Sequence, residues 1–326
     1  MNEIENAIKT GEYKRVYLLF GEEKYMIREY TQKLRDAVCD KATEMLNLSI
    51  FEGRAEIDGI IKACDTLPFM SEKRLVIVKD SKLFEQGRKD DSEKMKDYIP
   101  SLPESTILLF AEEKADKRSA LYKAVNKNGV CCELGFLKDS ELIKWVIAKS
   151  EKRIKGAQAE YLIRNVGTSM EALEGEIDKL LSYSSDGAEI TNAVIDEICT
   201  KSPETNIFEM VEAIGRKQSA KALEIYHNML RMKQSPVGVL KIMARQFKLI
   251  LECKYLQGKG MGAAAIAEEL SLRRFIADRC LQQANNFKIP TLVKALEDCA
   301  KCDTDFKSGK ITDKLGVEVI ILKYSR

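Results

Sequence analysis

The stretch RVYLLFGEEKYM, Arg15–Met26, decides the fold. After the leading arginine it is apolar through Phe20, with no polar alternation, and Gly21 ends the run. A short run that is apolar on both faces fits a strand buried in a parallel sheet with helices on either side. Similar runs recur outward from it. RLVIV at Arg74–Val78 and TILLF at Thr106–Phe110 are strong, while LSIF at Leu48–Phe51 and VCCEL at Val130–Leu134 are weaker. Charged, helix-prone segments separate them. Residues 1–138 are therefore expected to form an α/β domain with a parallel sheet.

After Leu137 the strand pattern fades. Asp139 is a candidate cap for a helix carrying Leu142, Trp145 and Val146. Ala159–Val166, Met170–Tyr183 and Thr191–Ile198 also place apolar residues at helical spacing. CTKSPETN, residues 199–206, is polar, contains a proline and reads as a linker. Beyond it every segment is helical. The clearest carries Val237, Leu240, Met243, Phe247, Ile250 and Leu251 along one stripe. The expected fold class is α/β plus all-α: an AAA+-like sheet domain at 1–138, a small helical lid domain at 139–206, and a helical domain at 207–326.

Hydrophobic residues make up 45% of the 326, and charged residues 32%, enough apolar material for real cores. No apolar run approaches the roughly 20 residues of a membrane span. The charged opening MNEIENAIKTGEYKR lacks the apolar core of a signal peptide, so a cytoplasmic location without membrane contact is expected. The net charge of +2 conceals an asymmetry. From residue 201 onward 22 Lys+Arg face 14 Asp+Glu, against 31 and 37 before it. A basic C-terminal third is a weak indication of nucleic-acid contact, and solvated helix faces explain it as well.

The AAA+ plan places a phosphate loop after the first strand. That loop uses glycines for close backbone approach, a lysine for the phosphates and a hydroxyl for magnesium. Here the position reads Gly21-Glu22-Glu23-Lys24-Tyr25-Met26. The second glycine and the Lys-Ser/Thr pair are missing, and two carboxylates stand where phosphate would lie. No strand ends in the Asp-Glu pair that would position magnesium and water. Neither a nucleotide nor any other cofactor is expected. No other catalytic set stands out either: the single histidine, His227, lies in an amphipathic helix. Cys299 and Cys302 have C-x-x-C spacing, but with no second pair they read as helix-packing thiols rather than zinc ligands.

RVYLLFGEEKYMIREY resembles the opening of the delta subunit family of the bacterial DNA polymerase III clamp loader. CDTLPFMSEKRLVIVKD resembles that family's clamp-contact helix end, loop and following strand. MEALEGEIDKLLSY resembles its lid helix. NIFEMVEAIGRKQSAKALEIYHNML, LKIMARQFKLILECKYL and DTDFKSGKITDKLGVEVIILKY resemble its C-terminal collar. The match runs in order over nearly the whole chain. The resemblance implies a subunit that binds and opens the sliding clamp (the beta subunit) for loading onto primed DNA. It also implies a collar at 207–326 that joins ATP-binding loader subunits and a delta-prime subunit. The absence of a Ser-Arg-Cys motif fits delta rather than those partners.

In the family an aromatic and an aliphatic residue grip the clamp. Here Leu67-Pro68-Phe69-Met70 occupies that position: Phe69 matches the aromatic, Pro68 departs from the pattern, and Leu67 or Met70 is its aliphatic partner. Pro68 stops a helix and leaves apolar side chains between that helix and a buried strand, which fits a binding loop at the surface; the residues alone equally allow Leu67 and Phe69 to fold back into their own core. Arg245, Lys248, Arg273 and Arg274 are candidates for DNA contact. Competing readings are an active AAA+ ATPase and a DNA-binding or scaffold protein of another complex.

Overall fold

The three strongest apolar runs pair with one another because none has a polar side to give to water. In the computed structural model, which describes residues 2–184 and 187–326, the first unit ends at Leu137 and the second runs from Lys138 to Arg326. The first contains α1 (Asn2–Thr10), β1 (Val16–Phe20), α2 (Lys24–Val38), α3 (Glu44–Asn47), β2 (Leu48–Glu52) and α4 (Ile57–Asp65). Then follow β3 (Arg74–Lys79), α5 (Lys89–Tyr98), β4 (Thr106–Glu112), α6 (Ala120–Asn128) and β5 (Val130–Glu133).

The strands form one sheet in the order β2-β3-β4-β1-β5, and every pairing is parallel. β1 lies inside the sheet, with Leu18 opposite Phe110 on β4 and Cys131 on β5. Side chains alternate between the faces. Val16, Leu18, Val76 and Phe110 pack with Ile60 of α4 and Val125 of α6 in one core. Tyr17, Leu19, Ile77 and Leu109 are also buried, and α2 packs on β1, β3 and β4. Burial on both faces is why these strands read as unbroken apolar runs.

The second unit is all helix: α7 (Asp139–Lys149), α8 (Gly156–Val166), α9 (Met170–Tyr183), α10 (Asn192–Ile198), α11 (Pro203–Gly215) and α12 (Ser219–Arg231). It continues with α13 (Pro236–Gly258), α14 (Ala263–Glu269), α15 (Arg274–Ala284), α16 (Ile289–Lys307) and α17 (Asp313–Tyr324). The α13 stripe of Leu240, Met243, Phe247 and Ile250 is fully buried against residues of α11, α12, α16 and α17. Among the described residues, no helix is long and apolar enough to cross a membrane. The fold class is thus α/β plus all-α, with a parallel-sheet domain ahead of the helices in the chain.

Three local readings change. The segment 199–206 is only partly a linker. Ser202 Oγ accepts from the Thr205 N–H at 3.1 Å and Pro203 supplies the fixed φ of a first helical residue, so α11 starts there. The expected boundary after residue 206 falls inside α11. Asp139 is the first residue of α7 rather than its cap. Its carboxylate receives Arg273 Nη1 at 2.6 Å.

Candidate functional site

The loop at Thr66–Ser71 leaves α4 as the residue types dictate. Thr66 Oγ1 donates to Lys62 O at 2.8 Å, closing the last helical turn, and the Thr66 backbone is extended. Pro68 disfavours helical backbone at Leu67 before it. The ends of the loop are fixed. Thr106 Oγ1 donates to Cys64 O at 2.7 Å, tying the end of α4 to β4. Lys73 Nζ donates to Glu104 O at 2.8 Å.

The loop's apolar side chains face water. Leu67 is 76% exposed, Phe69 55% and Met70 81%. The Phe69 backbone is held on both sides by one residue. Its N–H donates to Asn47 Oδ1 at 2.7 Å, and its carbonyl accepts from Asn47 Nδ2 at 2.9 Å. Met70 turns the chain with φ +49°, in the left-handed region that a methionine seldom occupies. The fold therefore brings the three named candidates together on one exposed, anchored turn.

Sequence reasoning missed the neighbouring segment. Met45, 95% exposed, and the exposed Leu46 belong to α3 and directly precede Asn47. A helix of four residues is too short to show a period, so only the apolar pair between Glu44 and Asn47 hinted at it.

The loop after β1 has a different character. Gly21 has φ +138°, and a Cβ there would lie 2.3 Å from the Leu134 carbonyl oxygen. Its glycine thus serves close packing against the segment after β5. Glu23 is buried at the start of α2, where its Oε1 accepts from the Tyr25 N–H at 3.2 Å. A carboxylate of the chain itself takes the anion position at that helix N-terminus. A cleft of about 260 Å³ lies nearby, lined by Lys24, Arg28, Lys79, Glu112 and Glu113 among others.

The sequence reading found no Asp-Glu pair at a strand end. The structure places a pair of glutamates at one: β4 ends in Glu112, and Glu113 follows. Glu112 turns inward, accepting from Ser81 Oγ and from the backbone N–H groups of Ser81 and Lys82. Burial raises its carboxyl above the usual value against the opposing pull of these bonds. Glu113 pairs with Lys24 at 3.1 Å.

The four basic candidates differ in what surrounds them. Arg273 is engaged by Asp139, and Lys248 pairs with Glu252 at 3.6 Å. Arg245 lines a cleft of about 410 Å³ together with Arg164 and Arg279. Arg274 lines a second, of about 230 Å³, with Asp139, Glu160 and Asp278. Arg279 lies over the Phe208 ring at 3.6 Å, and burial, then the charge of Arg164, hold it below the usual guanidinium value. His227 Nε2 lies 2.9 Å from Glu318 Oε1. Cys299 and Cys302 lie in the helical core, where burial pushes their thiols up to about 12 and about 11. Among the described residues no cluster of three or more His, Cys, Asp or Glu has the arrangement of a metal site.

Residues 17–134 match the family described as DNA polymerase III, delta subunit, and residues 204–324 match the DNA polymerase III delta subunit, C-terminal domain. The chain is 31% identical to the DNA polymerase III subunit delta of Bacillus subtilis, over 97% of this chain and 94% of that one. The solved structure of the Bacillus subtilis DNA clamp loader delta protein (YqeN) superposes with a TM-score of 0.73 at 29% identity, covering 99% of each chain.

Proposed function

The chain belongs to the DNA polymerase III delta subunit family, and as a clamp-loader component of that kind, we propose, it binds the sliding clamp through Phe69 and opens the ring for loading onto primed DNA. The observation that carries this reading is the exposed apolar turn Leu67-Pro68-Phe69-Met70, fixed by hydrogen bonds at its backbone. Burying Phe69 and one aliphatic neighbour in a partner's pocket is worth on the order of 3–5 kcal/mol before ordering costs. That is the scale of a hot spot.

Work of this kind does not need a nucleotide in the same chain. Glu23 occupies the N-terminus of α2, and the Lys24–Glu113 pair lies beside the adjoining cleft. The energy for ring opening comes, in this proposal, from ATP-binding loader subunits joined through the helices from α11 onward, with delta-prime as a further neighbour. The helices α7 to α10 serve as the lid domain that precedes this collar in the chain. Arg245 and Arg274, which make no ion pair among the described residues, are the candidates for DNA in the assembled loader, ahead of Lys248 and Arg273.

Two measurements test the reading. Clamp affinity is measured by surface plasmon resonance for the wild type and Phe69→Ala. A loss of tenfold or more is expected, and equal affinities would overturn the docking role. Calorimetric titration with ATP and magnesium is expected to give no binding, and micromolar affinity would revive the ATPase alternative.

A further inference from the structure

The docking turn has no secondary structure of its own, yet both backbone polar groups of Phe69 are satisfied by a single side chain. Asn47 lies 22 residues earlier in the chain and is 1% exposed. It accepts from the Phe69 N–H and donates to the Phe69 carbonyl, the pairing a neighbouring strand would otherwise provide. Asn47 is itself fixed. It ends α3, its N–H donates to Thr43 O at 3.2 Å, and Arg74 grips the residues around it. Arg74 Nη1 donates to Leu46 O at 2.8 Å and Nη2 to Ser49 Oγ at 2.9 Å. The anchoring thus runs from β3 through Arg74 to the α3–β2 junction, then through Asn47 to Phe69.

A surface turn with an exposed aromatic would ordinarily sample many backbone states, and binding would have to order it. Two bonds to one buried amide remove much of that cost in advance. Phe69 keeps its ring in water while its main chain is held. We propose that Asn47 is the positioning residue of the clamp-docking turn, presetting the backbone of Phe69 in the free subunit. This rests on the clamp-docking reading above.

The test is a double-mutant cycle on the full chain against purified sliding clamp, with hydrogen exchange on the free subunit. Asn47→Ala is expected to weaken clamp binding about tenfold. In a Phe69→Ala background it should change affinity less than about twofold, because there is no longer a ring to position. Asn47→Asp keeps an acceptor for the Phe69 N–H but sets an acceptor oxygen against the Phe69 carbonyl, so its affinity should fall at least as far as that of Asn47→Ala, and wild-type affinity would overturn the proposal. In the wild type the Phe69 amide should be protected from exchange, and Asn47→Ala should release it while the amides of β3 and β4 stay protected. An unprotected Phe69 amide in the wild type would overturn the proposal without any reference to the clamp. So would equal losses in both backgrounds, the signature of a general folding defect. If Phe69→Ala weakens binding and Asn47→Ala does not, the positioning role fails and the docking role stands. If Phe69→Ala binds normally, both fail.

Discussion

Gly21 packs directly against Leu134: a Cβ on the glycine would come within 2.3 Å of the Leu134 carbonyl oxygen and 2.7 Å of its carbonyl carbon. Glu23 N–H then donates to the same carbonyl at 3.0 Å. The turn after β1 and the end of β5 are therefore seated on each other. With φ at +138°, no other residue type fits without moving β1 or the segment after β5. Gly21→Ala should cost about 2–4 kcal/mol, as expected for a backbone clash combined with unfavourable φ. Urea unfolding of the two proteins measures it, and a loss below about 0.5 kcal/mol, the scale of an ordinary surface substitution, would mean that the turn has room to shift.

Glu112 gives a pH dependence with a definite sign. Burial raises its folded-state carboxyl above the usual glutamate value, and the Ser81 and Lys82 bonds oppose this only in part. The folded state then holds the proton more tightly than the unfolded chain. The cost of the buried charge is absent below the ordinary carboxylate range and grows as pH rises through the folded value. Relative to Glu112→Gln, the wild type should thus lose melting temperature between about pH 5 and about pH 8. Calorimetric scans of both proteins at the two pH values check it. A wild type that gains on the glutamine variant as pH rises would reverse the assignment.

The parts of this molecule that could be read from its sequence are those in which one segment carries the whole signal. Leu75 to Val78 of β3 and Ile107 to Phe110 of β4 are apolar on both faces, and that alone marks them as central strands. The α13 stripe names its own buried face. Pro68 marks the end of a helix, but whether Leu67 and Phe69 face water or fold back into their own core is decided only by the family resemblance, because the residues alone fit both. What could not be read depends on residues distant in the chain. An asparagine signals a cap or turn, and nothing near Asn47 points to Phe69. Gly21 resembled the remnant of a phosphate loop until Leu134 supplied a steric reason for it. Arg273 looked as available as Arg274 until α7 brought Asp139 within 2.6 Å of it.

Gln283 joins three helices of the second unit through its side-chain amide. Its Nε2 donates to Phe208 O on α11 at 2.8 Å, and its Oε1 accepts from Gln246 Nε2 on α13 at 2.7 Å. Gln283 is almost wholly buried, while Gln246 and Phe208 are half-buried beside a cleft. Gln283→Leu should destabilise by about 1–2 kcal/mol, because it deletes both bonds and leaves Gln246 Nε2 only its longer contact with Cys280 Sγ at 3.6 Å. Adding Gln246→Leu should cost less than the sum of the two single changes, since the second removes the donor that the first left with only this longer contact. Urea midpoints for the four proteins of the cycle measure this, and strict additivity would show that the amides act independently.

Met70 separates the requirements of folding from those of docking. Its backbone has φ +49° while its side chain is largely in water. Alanine and glycine both remove the side chain, but only glycine adopts this backbone without a steric penalty. Met70→Gly should therefore be more stable than Met70→Ala by about 1 kcal/mol, read from thermal or urea unfolding. If the Met70 side chain enters the clamp with Phe69, both variants should lose affinity by a similar factor, and Leu67→Ala should lose little. If Leu67 is the aliphatic partner, the pattern inverts: Leu67→Ala loses about tenfold, the scale of a buried aliphatic side chain, and both Met70 variants bind as the wild type does. The unfolding comparison is independent of which side chain docks, so equal stability of the glycine and alanine variants would refute the left-handed backbone at Met70 whatever the clamp measurements give.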